Sequence, residues 1–104
     1  MAKDPRTDLI QALDEAIGIL AAAGEQHWRN WLERDRERIT NGDAYGLEHL
    51  LGAFGGMGSF NDLVLSPAND FAGSDVELRA MDDRLYELRD QIWTGGRSLQ
   101  REVQ

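Results

Sequence analysis

Apolar residues recur at helical spacing along the first forty positions of the chain, with polar residues between them. The first such stretch begins after Asp4-Pro5, an N-cap followed by a first helical residue, and ends at Gly24. A second stretch runs from about Glu25 to Asn41-Gly42 and has one apolar side. These patterns predict two amphipathic helices, whose apolar positions are Leu9, Ile10, Leu13, Ile17 and Leu20 in the first and Trp28, Trp31, Leu32 and Ile39 in the second.

Two more helices are predicted further along the chain. Asp43 is a good N-cap for a short third helix that reaches Phe54 and ends at Gly55-Gly56. Ser74, with Glu77 three residues later, forms a capping box for a fourth helix that continues to about Trp93. The fourth helix carries an apolar stripe of Leu78, Met81, Leu85, Leu88 and Ile92. We expect the tail, residues 94–104, to fray.

Four helices in 104 residues indicate a small all-α domain that resembles a four-helix bundle, with a glycine-rich loop between helices 3 and 4. We expect a single domain over residues 1–104, with a compact core at about residues 5–93. The chain contains no cysteine, which excludes disulfides and thiolate chemistry. It shows neither a signal peptide nor a membrane-spanning run, so we expect a cytoplasmic protein.

The formal charge of −8 indicates which kinds of molecule the protein could bind. Nucleic acids and anionic membranes attract clusters of Lys and Arg, so we expect neither of them and favour a basic protein instead. Residues 43–74 include four acidic residues and no Lys or Arg. We therefore predict that the partner binds this segment, through Asp43, Glu48 and Asp70 with Tyr45 or Phe71 as an aromatic anchor.

The glycine-rich loop has two interpretations. In the structural one, glycines allow positive φ angles, Phe60 and Leu63 fill the core, and Asn61 or Asp62 caps exposed amides. The residues assigned to this structural loop are Gly55, Gly56, Gly58, Ser59, Asn61 and Asp62. The alternative is a small-molecule or hydrolytic site that uses Ser59, Asn61 and Asp62.

Motifs for catalysis, metals and cofactors are missing from the sequence. The loop follows a helix and departs from the G-x-G-x-x-G fingerprint, and it lacks the Lys and Ser/Thr pair of a phosphate loop. His27 and His49 belong to no spaced set of metal ligands. Ser59, His49 and Asp62 could form a triad only if the fold brought them together, and Ser59 lacks the G-x-S-x-G frame. We expect no catalytic residue, no metal and no cofactor, and we predict that the protein is not an enzyme.

The tryptophans could belong to the core or to an interface. Trp28 and Trp31 fall on the apolar stripe of the second helix, which favours the core. Trp93 lies seven residues after Tyr86 and beside the main stripe of the last helix. That helix therefore has either a broad buried face or an exposed aromatic pair.

The stretch "GDAYGLEHLLGAFGGMGSFNDLVL", residues 42–65, resembles an uncharacterised family of small bacterial domains. In that family a G-G-M-G-S-[FL]-N-D-L segment follows a short helix, and an amphipathic helix closes the chain. The family is a domain of unknown function, so the resemblance implies a bacterial origin and no activity or cofactor. Small acidic bacterial proteins of this kind suggest, by analogy, an immunity-like or regulatory role. The residues that match the pattern are Gly55, Gly56, Met57, Gly58, Ser59, Asn61 and Asp62.

Overall fold

The computed structural model describes residues 4–55 and 58–102. It contains four α-helices in chain order: α1 (Pro5–Ala23), α2 (Gln26–Thr40), α3 (Ala44–Leu51) and α4 (Asp75–Glu102). Two single 3-10 turns, Phe60–Asp62 and Pro67–Asn69, lie in the long connection between α3 and α4. The described residues include no strand. The predicted all-α, bundle-like fold with its long loop between the third and fourth helices is confirmed.

The helices begin where the sequence predicts, because each start has a side chain that accepts a hydrogen bond from the first turn. Asp4 accepts from the Arg6 amide, Glu25 from the Trp28 amide, and Asp43 from the Tyr45 amide. Ser74 and Glu77 form the expected reciprocal capping box, at 3.2 Å in each direction. Local sequence therefore determines where the chain enters each helix.

The core lies between α1, α2 and α4, with α3 closing one side. The helix α1 packs along both α2 and α4, and α3 packs on α2 and α4. The apolar stripes predicted for α1, α2 and α4 supply most of the buried side chains. Fully buried side chains in this core include Leu13, Leu20, Leu32, Leu50, Phe60, Leu78, Leu85, Leu88 and Ile92.

The last helix is longer than predicted. It was expected to end near Trp93 before a frayed tail, but it continues to Glu102 without a break. Gly95 and Gly96, which resemble a helix end in sequence, are helical. A Cβ atom on Gly96 would lie 3.1 Å from Leu51 Cδ2, so this glycine lets α4 approach α3 closely. Leu99 is buried, and the core therefore extends past the predicted limit of residue 93.

The third helix is shorter than predicted. It ends at Leu51, and residues 52–54 form turns instead of reaching Phe54 as helix. The Ala53 carbonyl accepts a 2.9 Å hydrogen bond from the Phe60 amide, which brings the glycine-rich loop back beneath the end of α3. In the apolar run that follows, Leu65 is buried but Val64 is 52% exposed, so this part of the loop is covered on one side only.

Candidate functional site

The glycine-rich loop is held by its own polar groups. The Gly58 amide donates to Asp62 Oδ2 at 2.7 Å, and Ser59 Oγ accepts from the Asn61 amide at 3.3 Å. Gly58 has a φ of +77°, in the left-handed region that favours glycine. These bonds match the capping that the structural interpretation gave to Asp62. Gly56, like Met57, lies outside the described residues.

Arg89, a residue of α4, holds this loop through hydrogen bonds to its backbone. Arg89 Nη1 donates to the Phe60 carbonyl at 3.0 Å and to the Leu63 carbonyl at 2.8 Å, and only 8% of the residue is exposed. Its guanidinium lies 5.7 Å from the centre of the Phe60 ring. Burial lowers the pKa of Arg89, while the nearby charge of Asp82 acts in the opposite direction. The loop is thus attached to α4 through a buried cation.

Sequence reasoning missed Arg89, although the pattern held a signal. Arg89 follows Leu85 by four residues and precedes Ile92 by three, so it falls on the buried stripe of α4. A charged residue at such a position needs buried partners, and backbone carbonyls of a loop are suitable acceptors for a guanidinium.

A second buried polar cluster joins α2 to α3. Asp35 on α2 has no exposed surface, and His49 Nδ1 on α3 lies 2.7 Å from Asp35 Oδ1 and 3.0 Å from Oδ2. Arg38 Nη1 donates to Asp35 Oδ1 at 3.3 Å. Because an ionised carboxylate can only accept, His49 Nδ1 carries the hydrogen of this bond when Asp35 is ionised. Burial raises the pKa of Asp35, and the hydrogen bond and charge of His49, with Arg38, oppose that shift.

Trp31 holds the imidazole of this cluster in place. Its ring stacks on His49 with the centroids 4.1 Å apart, and its Nε1–H donates to the His49 carbonyl at 3.2 Å. The pairing of His49 with Asp35 was not predicted from the sequence. The signal for Asp35 was again its position, three residues after Leu32 and four before Ile39 on the buried side of α2.

Three of the predicted binding residues lie together at the start of α3. Tyr45 is 54% exposed, and Asp43 and Glu48 are exposed near it. The Arg38 guanidinium lies 5.1 Å from the centre of the Tyr45 ring. We call Asp43, Tyr45 and Glu48 the α3 face. Within residues 4–55 and 58–102, no ion pair joins Asp43 or Glu48 to a basic side chain.

The other two predicted binding residues lie at the opposite end of α2. The Ala72 amide donates to the Ala23 carbonyl at 3.0 Å, which places Asp70 and Phe71 near the end of α1, just before α2 begins. Asp43 follows the far end of α2, whose 15 residues span about 22 Å. Asp70 is exposed, with a φ of +62°, and Phe71 packs partly against the core. The five predicted residues therefore do not form one continuous surface.

Ser59, His49 and Asp62, the residues of the hypothetical catalytic triad, have separate roles. His49 contacts Asp35 and not Asp62, and Asp62 accepts from the Gly58 amide. Ser59 Oγ caps the 3-10 turn, and Ser59 is 8% exposed. Across the described part of the chain, no group of three or more His, Asp or Glu side chains is arranged to hold a metal ion.

Comparison with known proteins gives a family match and nothing closer. The model of a family described as Domain of unknown function (DUF6966) matches residues 21–72. The matched segment contains α2, α3 and the glycine-rich loop, and so includes both Asp35 and His49. No curated protein and no solved structure matches the chain. Among the described residues, no helix has a stretch long and apolar enough to cross a bilayer.

Proposed function

Because the chain belongs to this family, whose description includes no activity, we propose its function from the geometry alone: it is a non-enzymatic domain that binds a basic protein through the α3 face. The observation that carries the proposal is a half-exposed tyrosine beside two exposed carboxylates without an ion-pair partner in the described residues. An aromatic ring supplies contact area to an interface, and the carboxylates attract a partner of opposite charge.

The support beneath the α3 face favours binding without rearrangement. Tyr45 and His49 lie one turn apart on α3, with ring centroids 5.9 Å apart, and His49 is fixed by Asp35 and Trp31. Arg38 lies over the Tyr45 ring and also donates to Asp35. A tyrosine with such neighbours loses little side-chain entropy when a partner covers it, so it is a good anchor.

An immunity-like role is the most concrete version of this proposal. In that version the domain covers a basic surface of a toxin or nuclease and so neutralises it. A regulatory role would use the same surface on a different basic protein. A toxin gene beside the gene for this chain would favour the first role.

The alternative of a small-molecule or hydrolytic site at the glycine-rich loop has less support. Ser59 and Asp62, which would supply its chemistry, already accept hydrogen bonds from loop amides. The Asp35 and His49 pair has the geometry of an oriented base, but the Trp31 ring is stacked on the imidazole. Binding is therefore the function that we propose.

The test begins with affinity capture from the source organism, with the partner identified by mass spectrometry. Association rates are then measured from about 50 mM to 500 mM salt, over which the screening length falls from above ten ångströms to a few. The test variant is Asp43→Asn with Glu48→Gln, since Asn keeps the N-cap of α3. The control, Asp70→Asn with Asp83→Asn, removes the same charge from exposed positions away from the α3 face.

We expect the parent and the control to associate more slowly as salt rises, and the test variant to lose most of that dependence. Tyr45→Ala should mainly speed dissociation, because the anchor contributes affinity rather than attraction at a distance. Salt-independent association in the parent, or equal losses in the test and control variants, would overturn the proposal.

A further inference from the structure

An open groove of about 700 Å³ runs along the exposed side of α4, away from the α3 face. Its aromatic walls come from Tyr86 and Trp93 on α4 and Phe54 after α3. Amide and charged groups complete the lining: Asn61, Gln91, Glu87, Arg89 and Asp90. The groove therefore combines apolar ring surface with polar groups that can orient a ligand.

Helical spacing aligns the three side chains that define the groove. Asp90 follows Tyr86 by four residues and precedes Trp93 by three, so all three lie on one side of α4. Tyr86 and Trp93 are seven positions apart, which is about 10 Å along the helix axis. Asp90 lies about 6 Å from Tyr86 and about 4.5 Å from Trp93 along that axis, so a guanidinium at Asp90 can reach both rings.

Both rings are unusually exposed for aromatic residues in a small domain. Tyr86 is 72% exposed and Trp93 is 36% exposed. Trp93 is also held in position, because its ring contacts Phe54 with the centroids 5.6 Å apart. Because one edge of the ring is already fixed, a ligand that covers the open edge loses little free energy in ordering the side chain.

The charges of the groove favour a cation. Glu87 and Asp90 are exposed, whereas Arg89 is buried, donates to loop carbonyls and has its guanidinium 6.0 Å from the centre of the Tyr86 ring. Glu87 accepts from Arg84 at 2.8 Å, while Asp90 has no ion-pair partner among the described residues. Arg97 lies 5.4 Å from the Trp93 ring centre but does not line this groove. Asp90 is thus the carboxylate available to a cationic ligand, in a chain of net charge −8.

We propose that this groove binds an arginine side chain of a protein partner, with the guanidinium at Asp90 and its stem and plane against Tyr86 and Trp93. A guanidinium pairs with a carboxylate through two parallel hydrogen bonds and stacks on aromatic faces, whereas an ammonium does neither as well. The exposed amides of Asn61 and Gln91 are placed to bond the backbone of the peptide that carries the arginine. This site lies on α4 and does not depend on the α3 face.

The probe is the blocked peptide Ac-Gly-Arg-Gly-Arg-Gly-NH2, titrated into the whole chain while the three tryptophan indole N–H signals are followed by NMR. The Trp93 signal is identified by its loss in Trp93→Phe. We expect the peptide to shift the Trp93 signal and to leave the other two signals in place. The same peptide with lysine in place of arginine should bind several-fold more weakly, and one with glutamate should not bind.

Two variants test the residues assigned to the site, and a third is a control that makes the same change in charge outside the groove. Asp90→Asn and Tyr86→Ala should each raise the dissociation constant of the arginine peptide by about tenfold. Asp70→Asn removes one charge from an exposed position outside the groove, and should change it less than twofold. The backbone signals of each variant report whether it is folded.

Several outcomes would overturn the proposal. Equal binding of the lysine peptide, or an equal loss in Asp70→Asn and Asp90→Asn, would mean general attraction to an acidic protein. Shifts confined to the other two indoles, of which Trp31 stacks on His49 beside the α3 face, would place the cation there, and the absence of any shift at millimolar peptide would leave the groove without this ligand.

Discussion

Asp35 is a carboxylate that solvent does not reach, and its ionisation links the stability of the protein to pH. Burial disfavours the charged form and raises the pKa of Asp35, against the influence of His49 and Arg38. The folded chain therefore retains a proton that the unfolded chain has already released. Such a group stabilises the fold fully below its unfolded pKa of about 3.9, and this contribution is lost as pH rises through the folded pKa.

Asp35→Asn isolates this effect. We expect the free energy of unfolding of the parent, minus that of the variant, to fall as the pH rises from about 4, because Asn cannot ionise. Urea melts of both proteins at matched pH values measure the difference, and all other carboxylates cancel in it. A difference that grows with pH would show that pairing with His49 outweighs burial.

Gly58 tests the conformation of the glycine-rich loop. Its φ of +77° suits glycine, and a Cβ built there would meet nothing within 4 Å, so any cost comes from the backbone and not from a clash. We expect Gly58→Ala to lower the free energy of unfolding by about 1–2 kcal/mol. Gly18, exposed inside α1 with equal space around it, is the control.

Gly18→Ala should raise the free energy of unfolding by about 0.5–1 kcal/mol, since alanine is the better helix former. The same urea melts serve both variants. Equal, stabilising effects at the two positions would mean that Gly58 does not need its left-handed conformation, and the structural interpretation of the loop would lose its main support.

At the scale of the helices, α3 depends on a close approach to α2. A Cβ atom on Gly46 would lie 2.7 Å from Arg38 Cβ and 3.2 Å from the Ile39 backbone nitrogen, too near for either to accommodate cheaply. Glycine is a poor helix former, so Gly46 lowers the intrinsic stability of this short helix. In return, the missing side chain at Gly46 lets α3 approach α2 closely enough for His49 to reach Asp35.

The pair Gly46→Ala and Gly95→Ala separates packing from helix propensity. Gly46→Ala should lower the free energy of unfolding by about 1–3 kcal/mol, because the two helices must move apart. At Gly95 the nearest atom to a new Cβ is Leu9 Cδ1 at 3.8 Å, an ordinary contact, so Gly95→Ala should be neutral or stabilising. Thermal or urea melts compare them, and a stabilised Gly46→Ala variant would contradict the close approach.

Sequence predicted the helix starts well because a cap is local: Asp4, Asp43 and Ser74 each act within a few residues of themselves. Prediction from the sequence failed where the structure depends on a contact between residues that are far apart in the chain. Gly96 resembles a helix end because its neighbour Leu51 is distant in sequence. The position of Arg89 on the apolar stripe indicates burial, but not the loop carbonyls that accept its hydrogen bonds. The same reason applies to the candidate site, because exposure and charge could be estimated for Asp43 and Glu48, but not their separation from Asp70.

At the scale of the whole molecule, the first and last helices pack together. The helix α1 packs along α4, and Arg84 on α4 forms an ion pair with Glu15 on α1. Leu99, three residues from the end of α4, is 6% exposed and belongs to the central core. The last turns of α4 thus take part in the packing of the domain.

Leu99→Ala tests whether those turns contribute to stability. We expect the free energy of unfolding to fall by about 2–4 kcal/mol, the usual range for truncating a buried leucine. Ser98→Ala, at the exposed neighbouring position, should change it by less than about 0.5 kcal/mol. Equal urea midpoints for the two variants would contradict this contribution and support the sequence prediction that the tail is frayed.

The pairing of α1 with α4 also affects how the protein is made. A ribosome releases the chain from its N-terminus, so α1 and α2 emerge early and can pack on each other. The side of α1 that belongs to α4 stays uncovered until residues 75–102 have been synthesised. Leu9, which lies 3.8 Å from where a Cβ atom on Gly95 of α4 would be, is therefore exposed to chaperones and to other nascent chains until then, and the native core of this domain closes only after synthesis of α4.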